Sequence, residues 1–137
     1  MLPPAVKSHS FVEYLGYITH EKLLSLSADA HFIPSFYDPA IMINKYAASN
    51  KLAEALAVGR PLLLNSEMKI LNSFRGFDCI IESEYRVAHD LGPRLIELMN
   101  DGKRYIEMCE ESRKVFEKEY SWEDAYNVMK KMIINEK

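Results

Sequence analysis

The sequence predicts an α/β domain: a Rossmann-like parallel sheet with helices on both faces, followed by a helical C-terminal segment. Three observations predict it. Short apolar, strand-like runs alternate with helical patterns between residues 11 and 82. Beyond residue 90 only helical patterns follow. No internal repeat, low-complexity tract or Gly/Ser linker divides the chain, so one unit is expected. Alternation of this kind favours parallel strands, with ligands bound beyond their carboxyl ends.

The elements follow in order. Phe11, Val12, Glu13, Tyr14 and Leu15 make a first strand that ends at Gly16, and a helix capped by Thr19 then carries Leu23, Leu24 and Leu26. Residues 28–33 form a second short strand, closed by Pro34 and Ser35. Residues 36–49 are rich in turn formers and aromatics and longer than a packing connection needs, which makes them a candidate binding loop. Next, Ser49 or Asn50 is the N-cap of a helix over residues 51–58, Gly59 suits a left-handed C-terminal position, and Pro61 forbids continuation. Leu62, Leu63 and Leu64 are a third strand, apolar on both faces and so buried on both. A helical stretch around residues 68–74 ends near Gly76, and residues 78–82 are the fourth strand.

Downstream, Asp90 can cap a helix that tolerates Pro93 in its first turn, with Leu91, Leu95, Leu98 and Met99 on one face. Asn100, Asp101 and Gly102 end it. Tyr105, Met108, Cys109, Ser112 and Phe116 mark a second stripe. Ser121 opens a third helix, with Trp122, Ala125, Tyr126, Met129, Met132 and Ile133 expected to point inward. Residues 1–10 are a Pro-containing lead-in and 11–137 the domain, which lacks the strand and phosphate-facing turn that usually open such a fold.

Composition narrows the function. With 137 residues, 48% of them hydrophobic and 27% charged, the chain can bury a core and is not a disordered segment. A net charge of −3 gives no basic footprint, so nucleic acid is not expected as a partner. Apolar runs are only a few residues long, so no transmembrane segment is expected, and MLPPAVKSHS lacks the apolar core of a signal peptide. The expected location is cytoplasmic, with a peripheral place at the membrane face left open.

Cys79 and Cys109 match no metal or redox spacing and are expected to be buried free thiols. His9, His20, His31 and His89 show no paired metal spacing, and neither a Gly-rich phosphate loop nor a nucleophile elbow occurs. No metal and no cofactor are therefore expected, and no catalytic residue can be assigned. His31 lies near a loop, where a hydrogen-bonded structural role outweighs a ligand contact.

Glu54 is the one carboxylate in a helix of alanines and leucines. Helical spacing sets it over Asn50 and Lys51, while Leu52, Ala55 and Leu56 lie towards another side. The amides at a helix start hold phosphate, Lys51 adds a full charge, and a carboxylate one turn on can accept hydrogen bonds from sugar hydroxyls. A plain Lys51 to Glu54 surface ion pair has the same spacing, and spacing alone favours it.

The order VEYLGYITHEKL, ADAHFIPS, NKLAEALAVGRP and YSWEDA resembles the C-terminal domain of group 1 glycosyltransferases with the GT-B fold, over residues 11–135. N-K-x-x-E-A-x-A-x-G-x-P is its most specific part. The resemblance implies half of a GT-B architecture and a nucleotide-diphosphate sugar as donor. It also implies transfer with retention to an acceptor glycan or lipid-linked sugar, held by an N-terminal domain that this chain does not contain. Glu54 is similar to the family's second motif glutamate, which binds the nucleotide ribose. Asn50 and Lys51, with Ser49 at the helix start, would lie near the diphosphate or donor sugar. The position eight residues before Glu54, a glutamate near the donor sugar in many members, is Tyr46 here. Two other outcomes stand beside this one: a non-catalytic binding or assembly module of the same fold, and a nucleotide-sugar epimerase of GT-B type.

Overall fold

The computed structural model describes residues 9–120 and 122–135. Among them three strands, β1 (Ile33–Ser35), β2 (Leu62–Asn65) and β3 (Ile80–Ser83), form one parallel sheet in the order β1-β2-β3. Ile33 lies beside Leu62 and Leu62 beside Ile80, so all three strands end together at Ser35, Asn65 and Ser83. The helices are α1 (His20–Asp29), α2 (Met42–Tyr46), α3 (Asn50–Ala57), α4 (Leu91–Asn100), α5 (Gly102–Glu119) and α6 (Trp122–Asn135), with short 3₁₀ helices at Lys69–Phe74 and Tyr85–Asp90.

β2 organises the core. All four of its residues are buried, as a central parallel strand covered on both faces requires. Alternation along the strand then divides its leucines. Leu62 and Leu64 pack with Leu52, Ala55 and Leu56 of α3, with Met68, Leu71 and Phe74 around the first 3₁₀ helix, and with Val115 of α5. Leu63 packs on the other face with Ile81, with Leu91, Leu95 and Leu98 of α4, and with Met108 of α5. Both crossovers between neighbouring strands thus run over one face, and the chain reaches the other only after β3. Burying each of Leu52, Leu56, Leu62 and Leu64 contributes about 2 kcal/mol.

The α3 unit matches its sequence signals. Ser49 accepts from the Lys51 amide at the helix start, and Gly59 at the far end has φ 65°. A Cβ at Gly59 would meet the Cys109 carbonyl oxygen at 3.4 Å, an ordinary contact, so it is the left-handed backbone conformation that favours glycine there. Thr19 likewise caps α1, accepting from the Lys22 amide.

Other expectations are corrected. Residues 11–15 are not a strand: they lie outside the sheet, and Phe11 is 92% exposed. Their apolar composition suits a strand, but a strand also needs a neighbour to pair with, and the sheet has three strands among the described residues rather than four. The expected strand 28–33 is shifted. Ala28 and Asp29 finish α1, and β1 runs through Pro34 and Ser35 instead of stopping at them. Pro34 is tolerated because β1 is an edge strand. The Ile33 amide bonds to the Pro61 carbonyl, so the next residue, with no N–H to offer, faces the open side. The loop 36–49 contains the short helix α2, and Asp90 precedes α4 without a side-chain capping bond, its carboxylate lying 3.1 Å from His89 Nε2. Met99 of α4 is exposed, and on α5 Cys109 is only half-buried while Val115 joins the core. The largest departure is α6, whose expected inward residues are exposed, Trp122 and Ile133 each at 70%. The cap expected at Ser121 lies outside the described residues, as do residues 1–8 of the lead-in. No helix among the described residues is long and apolar enough to cross a membrane.

Candidate functional site

Parallel strands that end together bring the loops after them to one side of the sheet, where short polar side chains converge. Ser35, the last residue of β1, donates from Oγ to Ser49 Oγ at 3.0 Å. Ser49 Oγ also accepts from the Lys51 amide at 3.1 Å and lies 2.9 Å from the Tyr37 hydroxyl. With both lone pairs engaged, the Ser49 hydroxyl directs its own proton to Tyr37 Oη. The start of α3 is thereby fastened to the end of β1.

Asn65, the last residue of β2, is fully buried. Its Oδ1 accepts from the Tyr37 amide at 3.0 Å and its Nδ2 donates to Glu67 Oε2 at 3.0 Å. Glu67 Oε1 accepts in turn from the Tyr85 amide at 3.2 Å. Two side chains thus tie the loops after β1, β2 and β3 together. Slight desolvation pushes the Glu67 carboxyl up, but the hydrogen bonds from Asn65 and from backbone amides prevail and hold it below the usual carboxylate range.

Along α3, Lys51 Nζ lies 2.5 Å from Glu54 Oε2, and His20 Nδ1 lies 4.0 Å from Glu54 Oε1. The Glu54 side chain is only 13% exposed, against 37% for Lys51 and 63% for His20. What remains open of Glu54 faces a cleft of about 450 Å³, lined by His20, Leu24, Asn50, Ala53, Ala57 and Phe116. A carboxylate in this position can accept hydrogen bonds from vicinal hydroxyls, while Lys51 supplies positive charge beside it.

Of the residues singled out from sequence, Ser49, Asn50, Lys51 and Glu54 come together on the first two turns of α3. Tyr46, at the end of α2, is 65% exposed and makes none of these contacts. His31 is exposed and takes part through its backbone, its carbonyl accepting from the Tyr105 hydroxyl at 2.9 Å. Sequence reasoning missed His20 as a neighbour of Glu54, and missed Tyr37, Asn65 and Glu67. The one available signal was Asn65 itself, an amide directly after three buried leucines and before a loop.

A larger depression of about 520 Å³ lies elsewhere, along the open edge of β3 beside α4 and α5. Its two guanidiniums are already engaged, Arg104 by Asp78 and Arg94 by the Glu82 carbonyl. The α3 cleft is smaller and lies between α1, α3 and α5, running from Asn50 at the start of α3 to Ala57 at its end, yet it holds a nearly buried carboxylate, so it is the better ligand candidate. Among the described residues no group of three or more His, Cys, Asp or Glu side chains is placed to hold a metal ion. No family model, curated protein or solved structure matches this chain.

Proposed function

We propose that this chain is the donor-binding portion of a glycosyltransferase, a Rossmann-like half of a GT-B architecture that holds a nucleotide-diphosphate sugar at the carboxyl ends of its strands. The observation that carries the reading is the placement of α3. Ser49 anchors the helix start beside the end of β1, and Glu54 lies one turn on, almost buried yet open to a cleft. In this reading Glu54 accepts hydrogen bonds from the ribose hydroxyls. The first amides of α3 and Lys51 face the diphosphate, where the partial positive charge of the helix start and the ammonium favour the departing anion. Lys51 then exchanges part of its attachment to Glu54 for the phosphates. The acceptor glycan or lipid-linked sugar, and any catalytic base, would come from an N-terminal domain outside this chain, acting in the cytoplasm.

Titration of the chain with UDP, GDP and ADP by calorimetry tests the reading. Saturable binding of one nucleotide, weakened about tenfold or more by Glu54→Gln, is the expected result. Absence of binding, or equal binding by the variant, would contradict it. A non-catalytic binding or assembly module of the same fold is the second reading, and one observation favours it: Lys51 and Glu54 already neutralise each other.

A further inference from the structure

The cleft beside Glu54 is polar at one end only. His20, Asn50 and Glu54 line it next to the start of α3, and its remaining walls are the half-buried side chains of Leu24, Ala53, Ala57 and Phe116. Leu24 lies one turn beyond His20 on α1, and Ala57 nearly one turn beyond Glu54 on α3, so the change from polar to apolar runs along both helices. No side chain lining the apolar end can donate or accept a hydrogen bond. The Ala57 carbonyl already accepts from Arg113, and that guanidinium, 5.5 Å from the centre of the Phe116 ring, is also held by Glu117.

Resting on the donor-site reading, we infer that the nucleotide base is adenine and that it lies in the apolar end against Leu24, Ala57 and Phe116, which makes the donor an adenosine-diphosphate sugar. From Asn50 to Ala57 the helix rises about 10 Å. A nucleoside diphosphate lays out phosphates, ribose and base in that order over a similar length. With the phosphates at the start of α3 and the ribose on Glu54, the apolar end is what remains for the base. Burying a polar edge against walls that offer it no partner costs free energy. Uracil brings two carbonyls and an imide N–H, and guanine a carbonyl, a ring N–H and an amino group. Adenine has neither a carbonyl nor a ring N–H, and its purine surface covers more of the wall than a pyrimidine does. The cleft therefore selects by excluding polar edges rather than by reading them.

Calorimetric titration of the full chain and of three variants with ADP, GDP and UDP tests the assignment. ADP should bind about tenfold or more tightly than GDP or UDP. Leu24→Ala should weaken ADP about tenfold and UDP about threefold or less, so that the preference shrinks. Ala57→Leu, which fills the same end from the α3 side without removing a packed side chain, should also weaken ADP most. Glu54→Gln should weaken all three nucleotides alike and preserve their ranking. Circular dichroism checks that each variant is folded. GDP or UDP binding as tightly as ADP, or an ADP preference indifferent to both Leu24→Ala and Ala57→Leu, overturns this inference, and the donor-site reading still stands where Glu54→Gln weakens binding. Absence of binding, or binding insensitive to Glu54→Gln, overturns both.

Discussion

At the amino ends of the strands, long side chains reach across to backbone carbonyls. Tyr105 of α5 donates to the His31 carbonyl, Arg113 to the Ala57 carbonyl and Arg60 to the Ala28 carbonyl, while Arg104 pairs with Asp78. At the carboxyl ends the ties are short hydroxyls, an amide and one carboxylate, drawn from Ser35, Tyr37, Ser49, Asn65 and Glu67. The difference separates two tasks. Capping a carbonyl with a guanidinium satisfies the ends of α1 and α3 and closes that side of the sheet. A lattice of short polar groups instead fixes loops and the start of α3, and leaves the paired Lys51 and Glu54 beside a cleft, which is the arrangement the proposed binding site needs.

The contrast can be broken or sharpened by experiment. Cys79, just before β3, is fully buried, and burial, followed by the negative charges of Glu111 and Asp78, pushes its thiol up to about 11. If the amino side is closed, alkylation of Cys79 should be slower than that of half-buried Cys109 by about a thousandfold, the protection that global unfolding imposes. Comparable rates would show that side to be open. Asn65→Leu should cost about 3 kcal/mol in urea unfolding, because the Tyr37 amide and Glu67 both lose a buried partner. The matching change at the other end, Arg60→Met, should cost about 1.5 kcal/mol, since the Ala28 carbonyl can still reach water. Equal costs would erase the distinction drawn between the two ends.

Smaller effects follow. Ser49→Ala should cost about 1 kcal/mol as a lost N-cap, and it should weaken nucleotide binding because the start of α3 is no longer fastened to β1. Glu67 gives a pH signature. Its folded carboxyl titrates below the usual carboxylate range, so its contribution to stability is present above that range and is lost as pH falls through the lowered value. Glu67→Gln should lower stability near neutral pH and flatten that part of the acid-unfolding curve, with the difference from the parent chain vanishing at low pH. An unchanged acid limb would remove Glu67 from the lattice.

Local signals made the centre of the molecule legible before any coordinates. Ser49, Gly59 and Pro61 delimit α3, and three consecutive leucines announce a strand covered on both faces. Non-local facts were hidden. Nothing in residues 11–15 says whether a strand lies alongside, and Pro34 looks like a terminator until β1 is known to be an edge. The stripe on α6 correctly reports an apolar face but not whether this chain covers it. The site was legible along α3, where i and i+3 neighbours are fixed by helical geometry. It was illegible across Tyr37, Asn65 and Glu67, whose contacts depend on which loops the sheet brings together.

Backbone amide NMR during titration with the nucleotide selected by calorimetry tests the central claim most directly. Binding at the carboxyl ends predicts shift changes at Ser35, Tyr37, the first turns of α3 and Glu67, with Arg60, Arg104 and Arg113 at the other end unmoved. Changes centred on those arginines, or none at all, would contradict it.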